Sequence, residues 1–239
     1  MYNDAKLLSG ERDDARRAIR PFIDHSRNAF GEGAITLVLE TRAHAARRGA
    51  TPLAMIDGWK LGNNGSHPLH VDAQGGRVTT LISEVLSTAE VDRDEVGFVV
   101  GHGNGVEQSD RSELAYMHSV FAERAPEVPL LSVKPIYGHL FGASSALNVA
   151  ATILMLHHGW LVPTLNVDPT RATGPIDHLA SGGRHLAGNQ HLADGNQHLA
   201  GNQHLADGDP HDAATAGLAV SYGIGGHSAV TLVRKADAA

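Results

Sequence analysis

The chain has 239 residues, 42% of them hydrophobic, so it is long enough to bury one ordinary hydrophobic core. Its formal net charge of −7 disfavours a nucleic-acid partner, and the absence of cysteine excludes disulfides and thiolate metal sites. No apolar run is long enough to cross a membrane and the first residues form no apolar signal segment, so we expect a cytoplasmic protein.

The first part of the chain alternates apolar strands with helices. We predict strands at residues 33–40 and 53–59, and helices at residues 41–48 and 76–89. Residues 33–40 are nearly continuously apolar, which is typical of a strand covered on both faces. The helix at 76–89 has one apolar stripe, which core packing explains.

The second part repeats this alternation. The predicted strands are 96–100, 130–133, 218–222 and 228–233, and the predicted helices are 109–124 and 142–158. The helix at 142–158 is apolar nearly all round, so we expect it to be buried between layers. Alternating strands and helices indicate an α/β fold in which helices flank the sheet.

The strand at 96–100 leads into the first group of candidate site residues. It is followed by Gly101-His102-Gly103-Asn104-Gly105, and Asp110 and Glu113 begin the next helix. Such polar residues at a single junction are often only solvated surface groups.

A second junction of the same kind follows the strand at 130–133. It carries Lys134 and then His139, at the start of a helix rich in small residues. Two strand ends that each deliver a histidine are typical of the active-site edge of an open α/β sheet. Because a helix N-terminus favours anions and keeps an adjacent histidine neutral, this junction suits carbonyl or enolate chemistry.

Residues 181–213 contain a histidine-rich repeat. A 13-residue unit is written almost twice, with histidines at positions 185, 191, 198 and 204. Histidine-rich tracts can bind metals, but intervals of six and seven residues do not stack imidazoles on a helix face. We therefore expect a duplicated, disordered surface loop rather than a metal site.

Five motifs occur along the chain in a fixed order. They are Arg20-Pro21-Phe22; Gly31-Glu32-Gly33-Ala34; His102-Gly103-Asn104-Gly105 with Asp110 and Glu113; Lys134 with Gly138-His139 and Gly142-Ala143; and Gly223-Ile224-Gly225-Gly226. Together they resemble the C-terminal half of the β-ketoacyl synthases of the thiolase-like superfamily, which act in fatty-acid and polyketide assembly. The resemblance implies one domain over residues 1–239, a thiolase-like half with a mixed sheet flanked by helices, into which the loop at 181–213 is inserted.

The resemblance also implies roles for the candidate residues. His102 and His139 would hold the thioester oxygen of a malonyl group as it becomes an enolate, and Lys134 would support them through Glu113. Asp110 would support the same network. The substrate-binding residues would be Asn104, Gly223, Ile224, Gly225 and Gly226. The substrates would be carried on the phosphopantetheine of an acyl carrier protein, with no cofactor and no metal.

The family's nucleophile is a cysteine, and this chain has none. The resemblance therefore implies a heterodimer in which a cysteine-bearing ketosynthase chain completes the acyltransferase, and an isolated chain that exposes a large apolar surface. The sequence leaves open whether the chain is an enzyme. It could instead be a non-catalytic partner similar to a chain-length factor, a decarboxylase of malonyl carrier protein, or a non-functional remnant.

Overall fold

The structure is a computed structural model that describes residues 7–23, 26–65, 71–172, 174–186 and 215–236. Its strands are β1 (Ala54–Asn63), β2 (Val96–Val100), β3 (Leu130–Leu131), β4 (Trp160–Leu161), β5 (Arg184–His185), β6 (Ala216–Gly223) and β7 (His227–Lys235). Five of these described strands form one mixed sheet in the order β1-β7-β6-β2-β3. The pairs β1–β7 and β7–β6 are antiparallel, whereas β6, β2 and β3 are parallel neighbours.

Helices cover both faces of this sheet. They are α1 (Arg42–Arg47), α2 (Gly76–Ala89), α3 (Glu107–Phe121), α4 (Lys134–Tyr137) and α5 (Ser144–His158). Alternating side chains of each strand enter different cores: Val99 packs with α2 and α3, whereas Phe98 and Val100 pack with α5. The predicted α/β sheet flanked by helices is confirmed, and the apolar stripe of α2 is buried as expected.

The prediction of a strand at residues 33–40 is wrong. This segment pairs with no strand in the described part of the chain, and Val38 and Leu39 are 83% and 72% exposed. Apolar composition indicates that a segment is to be buried, but it does not indicate which surface will cover it.

Helix α5 also differs from its prediction. Its most deeply buried residues include a polar stripe of Ser144, Asn148 and Thr152, spaced four residues apart, whereas Leu154 is 47% exposed. Hydrophobic patterning predicts the opposite orientation, in which Leu154 is buried and the polar stripe is exposed. The reason is that the Asn148 amide nitrogen donates to the Gly101 and Val220 carbonyls, and the Thr152 hydroxyl donates to the Asn148 carbonyl at 2.8 Å within the helix.

The histidine-rich repeat falls mostly outside the described residues. Residues 181–186 are described, and Arg184–His185 pairs antiparallel with Trp160–Leu161. Residues 187–214, which carry the other repeat histidines, lie outside the described ranges.

Among the helices that the structure describes, none is both long and apolar enough to span a bilayer. The residues that the structure describes contain no group of three or more His, Cys, Asp or Glu side chains that could hold a metal ion.

Candidate functional site

The two predicted junctions meet at one edge of the sheet. His102 follows β2, and the neighbouring parallel strand β3 leads through the short helix α4 to His139. Both side chains are buried, at 4% and 9% exposure, and their ring centroids lie 5.3 Å apart with the planes at 77°. The structure therefore brings together the imidazoles that the sequence places on two separate loops.

Hydrogen bonds fix the orientation of each ring. His139 Nδ1 accepts the Phe141 N–H at 2.9 Å, and His102 Nδ1 accepts the Tyr222 N–H at 3.3 Å. A backbone N–H can only donate, so Nδ1 is the unprotonated nitrogen in both rings. Each neutral imidazole therefore carries its proton on Nε2.

The surroundings keep both imidazoles neutral. Burial lowers the pKa of His102 well below its usual value, and the positive charge of Lys134 acts in the same direction. Burial, followed by the positive charge of Lys134, lowers the pKa of His139 to about 3. Two neutral Nε2–H donors suit an oxygen atom that gains negative charge during a reaction.

Glu113 and Lys134 both bind the main chain at His102. The Glu113 carboxylate accepts the His102 N–H at 2.6 Å and the Gly103 N–H at 2.5 Å, while the Lys134 ammonium donates to the His102 carbonyl. The two charged side chains, both in the described part of the chain, form no direct ion pair, so their link runs through this peptide. Burial raises the pKa of Glu113 to about 7 and lowers that of Lys134 to about 8.

Asp110 binds the loop that contains Phe22, and its carboxyl also interacts with the Gly105 N–H in the loop after His102. It is fully buried, and its Oδ2 accepts the N–H of Phe22, whose ring stacks on His178 at 4.3 Å. Phe22 has a positive φ of 67°, so the carboxylate holds a backbone turn that non-glycine residues rarely adopt. Asp110 therefore holds the loop around Phe22, whereas its support of the histidine pair stays a prediction.

Asn104 uses its side-chain oxygen within its own loop. This oxygen accepts the Val106 N–H at 3.0 Å, and the residue is only 7% exposed. The geometry is that of an Asx turn, which shapes the loop after His102.

The predicted glycine segment forms the turn between β6 and β7. It begins one residue after Tyr222, whose N–H holds His102, and Ile224 in it is 50% exposed. Gly226 has a φ of +77°, and a Cβ there would lie 2.2 Å from Asn64 Oδ1. Glycine suits this position because its φ is positive, and a larger residue would also displace the Asn64 side chain.

The sequence prediction missed two side chains and one backbone donor of the site. Ser144 Oγ lies 3.0 Å from His139 Nδ1, and Asn148 Nδ2 donates to the Gly101 and Val220 carbonyls at 2.9 Å each. Polar residues four apart in an otherwise apolar helix are the signal that could have identified both. Tyr222 acts on His102 through its main-chain N–H, which no residue type reveals.

Known proteins are similar to this chain over the part that carries His102 and His139. Residues 53–168 match the family model described as the C-terminal domain of beta-ketoacyl synthase. A curated relative, the oxytetracycline polyketide putative beta-ketoacyl synthase 1 of Streptomyces rimosus, is 38% identical over 168 residues, which is 70% of this chain and 39% of the relative. The chain thus spans well under half the length of that relative.

Solved structures show a similar arrangement. A beta-ketoacyl synthase from Burkholderia phymatum STM815 matches with a TM-score of 0.79 and 26% identity, over 99% of this chain and 51% of the other. A ketosynthase solved in complex with its type II polyketide acyl-carrier protein matches with a TM-score of 0.77 at 23% identity, over 99% of this chain and 52% of that one. These matches support the thiolase-like fold expected from the sequence.

Proposed function

Because the chain belongs to the β-ketoacyl synthase family, of which it carries the C-terminal domain, we propose that it supplies the oxyanion-binding half of a decarboxylative condensation site. His102 and His139 bind the thioester oxygen of a malonyl group, and a second chain supplies the nucleophilic cysteine. Both acyl groups are delivered as thioesters on the phosphopantetheine of an acyl carrier protein, so the reaction needs no further cofactor. The ketosynthase of similar fold that was solved with its own carrier protein supports this choice of partner.

One observation carries the proposal: two neutral imidazoles meet at 5.3 Å, each with its proton on Nε2. A protonated imidazolium would bind the ground-state carboxylate of malonate as readily as the enolate. A neutral donor gains most as charge develops on the thioester oxygen, which is the condition for lowering the barrier.

The proposed reaction has two steps. The bond between the malonyl α-carbon and its carboxylate breaks, CO₂ leaves, and the electron pair passes through the α-carbon to the thioester oxygen, where His102 and His139 donate hydrogen bonds. The enolate carbon then attacks the acyl carbonyl held on the partner's cysteine. A carbon–carbon bond forms, the carbon–sulfur bond breaks, and the cysteine leaves as a thiolate.

Lys134 favours the same outcome electrostatically. Its ammonium is buried and binds the His102 carbonyl, so its charge disfavours protonation of both histidines. The Glu113 carboxylate accepts the N–H groups of His102 and Gly103. Glu113 and Lys134 therefore hold the peptide group between His102 and Gly103 from opposite sides.

An exposed apolar surface supports the proposal of a partner chain. Trp59 and Leu61 are 68% and 74% exposed, and they alternate with Gly58 and Gly62, which face α2. They therefore lie on the opposite face of β1, the face against which α5 packs elsewhere in the sheet. Exposed apolar side chains of this kind mark protein interfaces.

Alanine substitution of each histidine tests the proposal. The chain is combined with a cysteine-bearing ketosynthase chain and a malonyl-loaded carrier protein, and both CO₂ and the condensed product are measured. We expect His102→Ala and His139→Ala each to lower the rate about a hundredfold or more, as loss of one oxyanion donor does elsewhere. His157→Ala and His158→Ala, at the exposed C-terminal end of α5, are the matched controls.

The same assay separates the competing functions. Unchanged product formation by both site variants would favour a non-catalytic partner similar to a chain-length factor. Release of CO₂ by this chain alone, lost in both variants, would favour a decarboxylase. Decarboxylation needs the two histidines but not the thiol, so this second function is compatible with the same geometry.

A further inference from the structure

Ser144 is the first residue of α5 and is only 4% exposed. Its hydroxyl oxygen lies 3.0 Å from Nδ1 of His139 and accepts the Leu140 N–H at 2.9 Å. The serine is therefore joined to the histidine ring and to the backbone immediately after that ring.

These contacts settle the direction of the hydrogen bond between Ser144 and His139. The Phe141 N–H already donates to Nδ1, so Nδ1 is an acceptor. The Leu140 N–H occupies an acceptor site of the Ser144 oxygen, so the hydroxyl hydrogen is left to donate to the ring. We infer that Ser144 is a positioning residue that locks His139 in the tautomer with its proton on Nε2.

The two histidines of the site differ in the number of donors to Nδ1. His139 Nδ1 receives two donors, at 2.9 and 3.0 Å, and the ring also stacks on Phe141 at 4.8 Å. His102 Nδ1 has one donor in the described structure, the Tyr222 N–H at 3.3 Å. Because an Nδ1–H tautomer of His139 would leave no proton on Nε2, Ser144 adds to the Phe141 N–H in keeping His139 able to donate to a substrate oxygen. That consequence for catalysis rests on the proposed function, whereas the tautomer does not.

Nitrogen-15 NMR of the histidine-labelled full chain tests the tautomer directly. His139→Gln identifies the His139 signals, and the two ring-nitrogen shifts report which nitrogen is protonated. We expect Ser144→Ala to raise the ratio of the Nδ1–H to the Nε2–H tautomer about fivefold, the effect of losing one ordinary hydrogen bond. Ser144→Thr keeps the hydroxyl and Ser145→Ala removes an exposed neighbouring hydroxyl, so both should match the wild type.

An unchanged tautomer ratio in Ser144→Ala would overturn the inference. If that variant does not fold, Ser144→Cys replaces it, because a thiol keeps the size of the side chain but is a weaker donor. Equal tautomer ratios in wild type and Ser144→Cys would then overturn the inference in the same way.

Activity in the reconstituted pair separates this inference from the proposed function. We expect Ser144→Ala to lower kcat in proportion to the share of the Nε2–H tautomer that the NMR shows to be lost, with KM unchanged, while Ser144→Thr restores the rate. A tautomer change in a pair whose activity does not depend on His139 would leave the positioning role intact and contradict the proposed function. Loss of activity without any tautomer change would contradict the positioning role alone.

Discussion

The side-chain nitrogen of Asn148, in the second turn of helix α5, donates a hydrogen bond to the carbonyl oxygen of Gly101 over 2.9 Å. The same nitrogen donates to the Val220 carbonyl, also at 2.9 Å. Gly101 precedes His102, and Val220 lies two residues before Tyr222, whose N–H holds the His102 ring. One buried amide thus joins the residue after β2 to the neighbouring parallel strand β6, and the geometry of His102 depends on both.

We expect Asn148→Leu to destabilise the fold, because the substitution keeps the volume but removes both hydrogen bonds. Leaving buried carbonyl groups without this donor should lower the free energy of unfolding by about 2 kcal/mol. Urea denaturation followed by circular dichroism measures the change. Ser145→Ala, an exposed substitution on the same helix, should have little effect. Equal stability of Asn148→Leu and wild type would show that the amide does not hold the strand ends.

The carboxylate of Glu113 predicts a specific pH dependence of stability. Burial raises its folded-state pKa from 4.5 to about 7, so its contribution is fully present below pH 4.5 and is lost as the pH rises through about 7. Glu113→Gln removes this ionisation. We therefore expect the stability of wild type relative to Glu113→Gln to fall as the pH rises across that window.

Urea denaturation of both proteins at several pH values measures this difference. Subtracting the two curves removes the contributions of other titrating groups, such as the two histidines. Glu107→Gln, at the exposed start of α3, is the control for the removal of a carboxyl group from the same helix. A difference for Glu113→Gln that rises with pH would contradict the assignment, since it would mean that the fold prefers the ionised carboxyl.

Much of the fold could be predicted from the sequence because period and composition report burial. Residues 96–100 are a strand as predicted, and the helix predicted at 76–89 matches α2 residue for residue. His102 and His139 were identified because each follows a strand with a glycine beside it. The prediction of a strand at 33–40 is wrong, because apolar side chains indicate that a segment is to be buried but not which surface will cover it.

The contacts that hold the histidines could not be predicted in the same way. The Tyr222 N–H is a backbone group 120 residues from His102, and its position depends on the pairing of β6 with β2. The orientation of α5 depends on Asn148 finding partners in two strands, a long-range property that overrides hydrophobic patterning. Local sequence specifies the candidate groups, whereas strand pairing sets their geometry.

The exposed face of β1 leads to a prediction about association. If a cysteine-bearing chain covers Trp59 and Leu61, then Trp59→Lys or Leu61→Lys should weaken binding to that chain tenfold or more, on the order of the loss at an interface hot spot. Both positions are solvent-exposed in this chain, so its own unfolding free energy should change little. Ser83→Lys places the same charge on the exposed side of α2 and should bind normally. Analytical ultracentrifugation or calorimetry measures the affinity, and normal binding by both β1 variants would place the interface elsewhere.

The neutrality of His139 can be tested without any substrate. Burial and the charge of Lys134 lower its pKa to about 3, so the ring should remain uncharged between about pH 5 and pH 8, a range in which an ordinary histidine titrates. Its ring-nitrogen shifts should therefore stay constant there, while those of free histidine in the same tube change. Lys134→Met removes the positive charge and should raise the pKa of His139, although burial keeps it below the usual value. Lys60→Met, on β1, removes a charge elsewhere and should leave the titration unchanged. A wild-type His139 that titrates in this range would bind an oxyanion as a cation, and the argument for a neutral donor pair would fail.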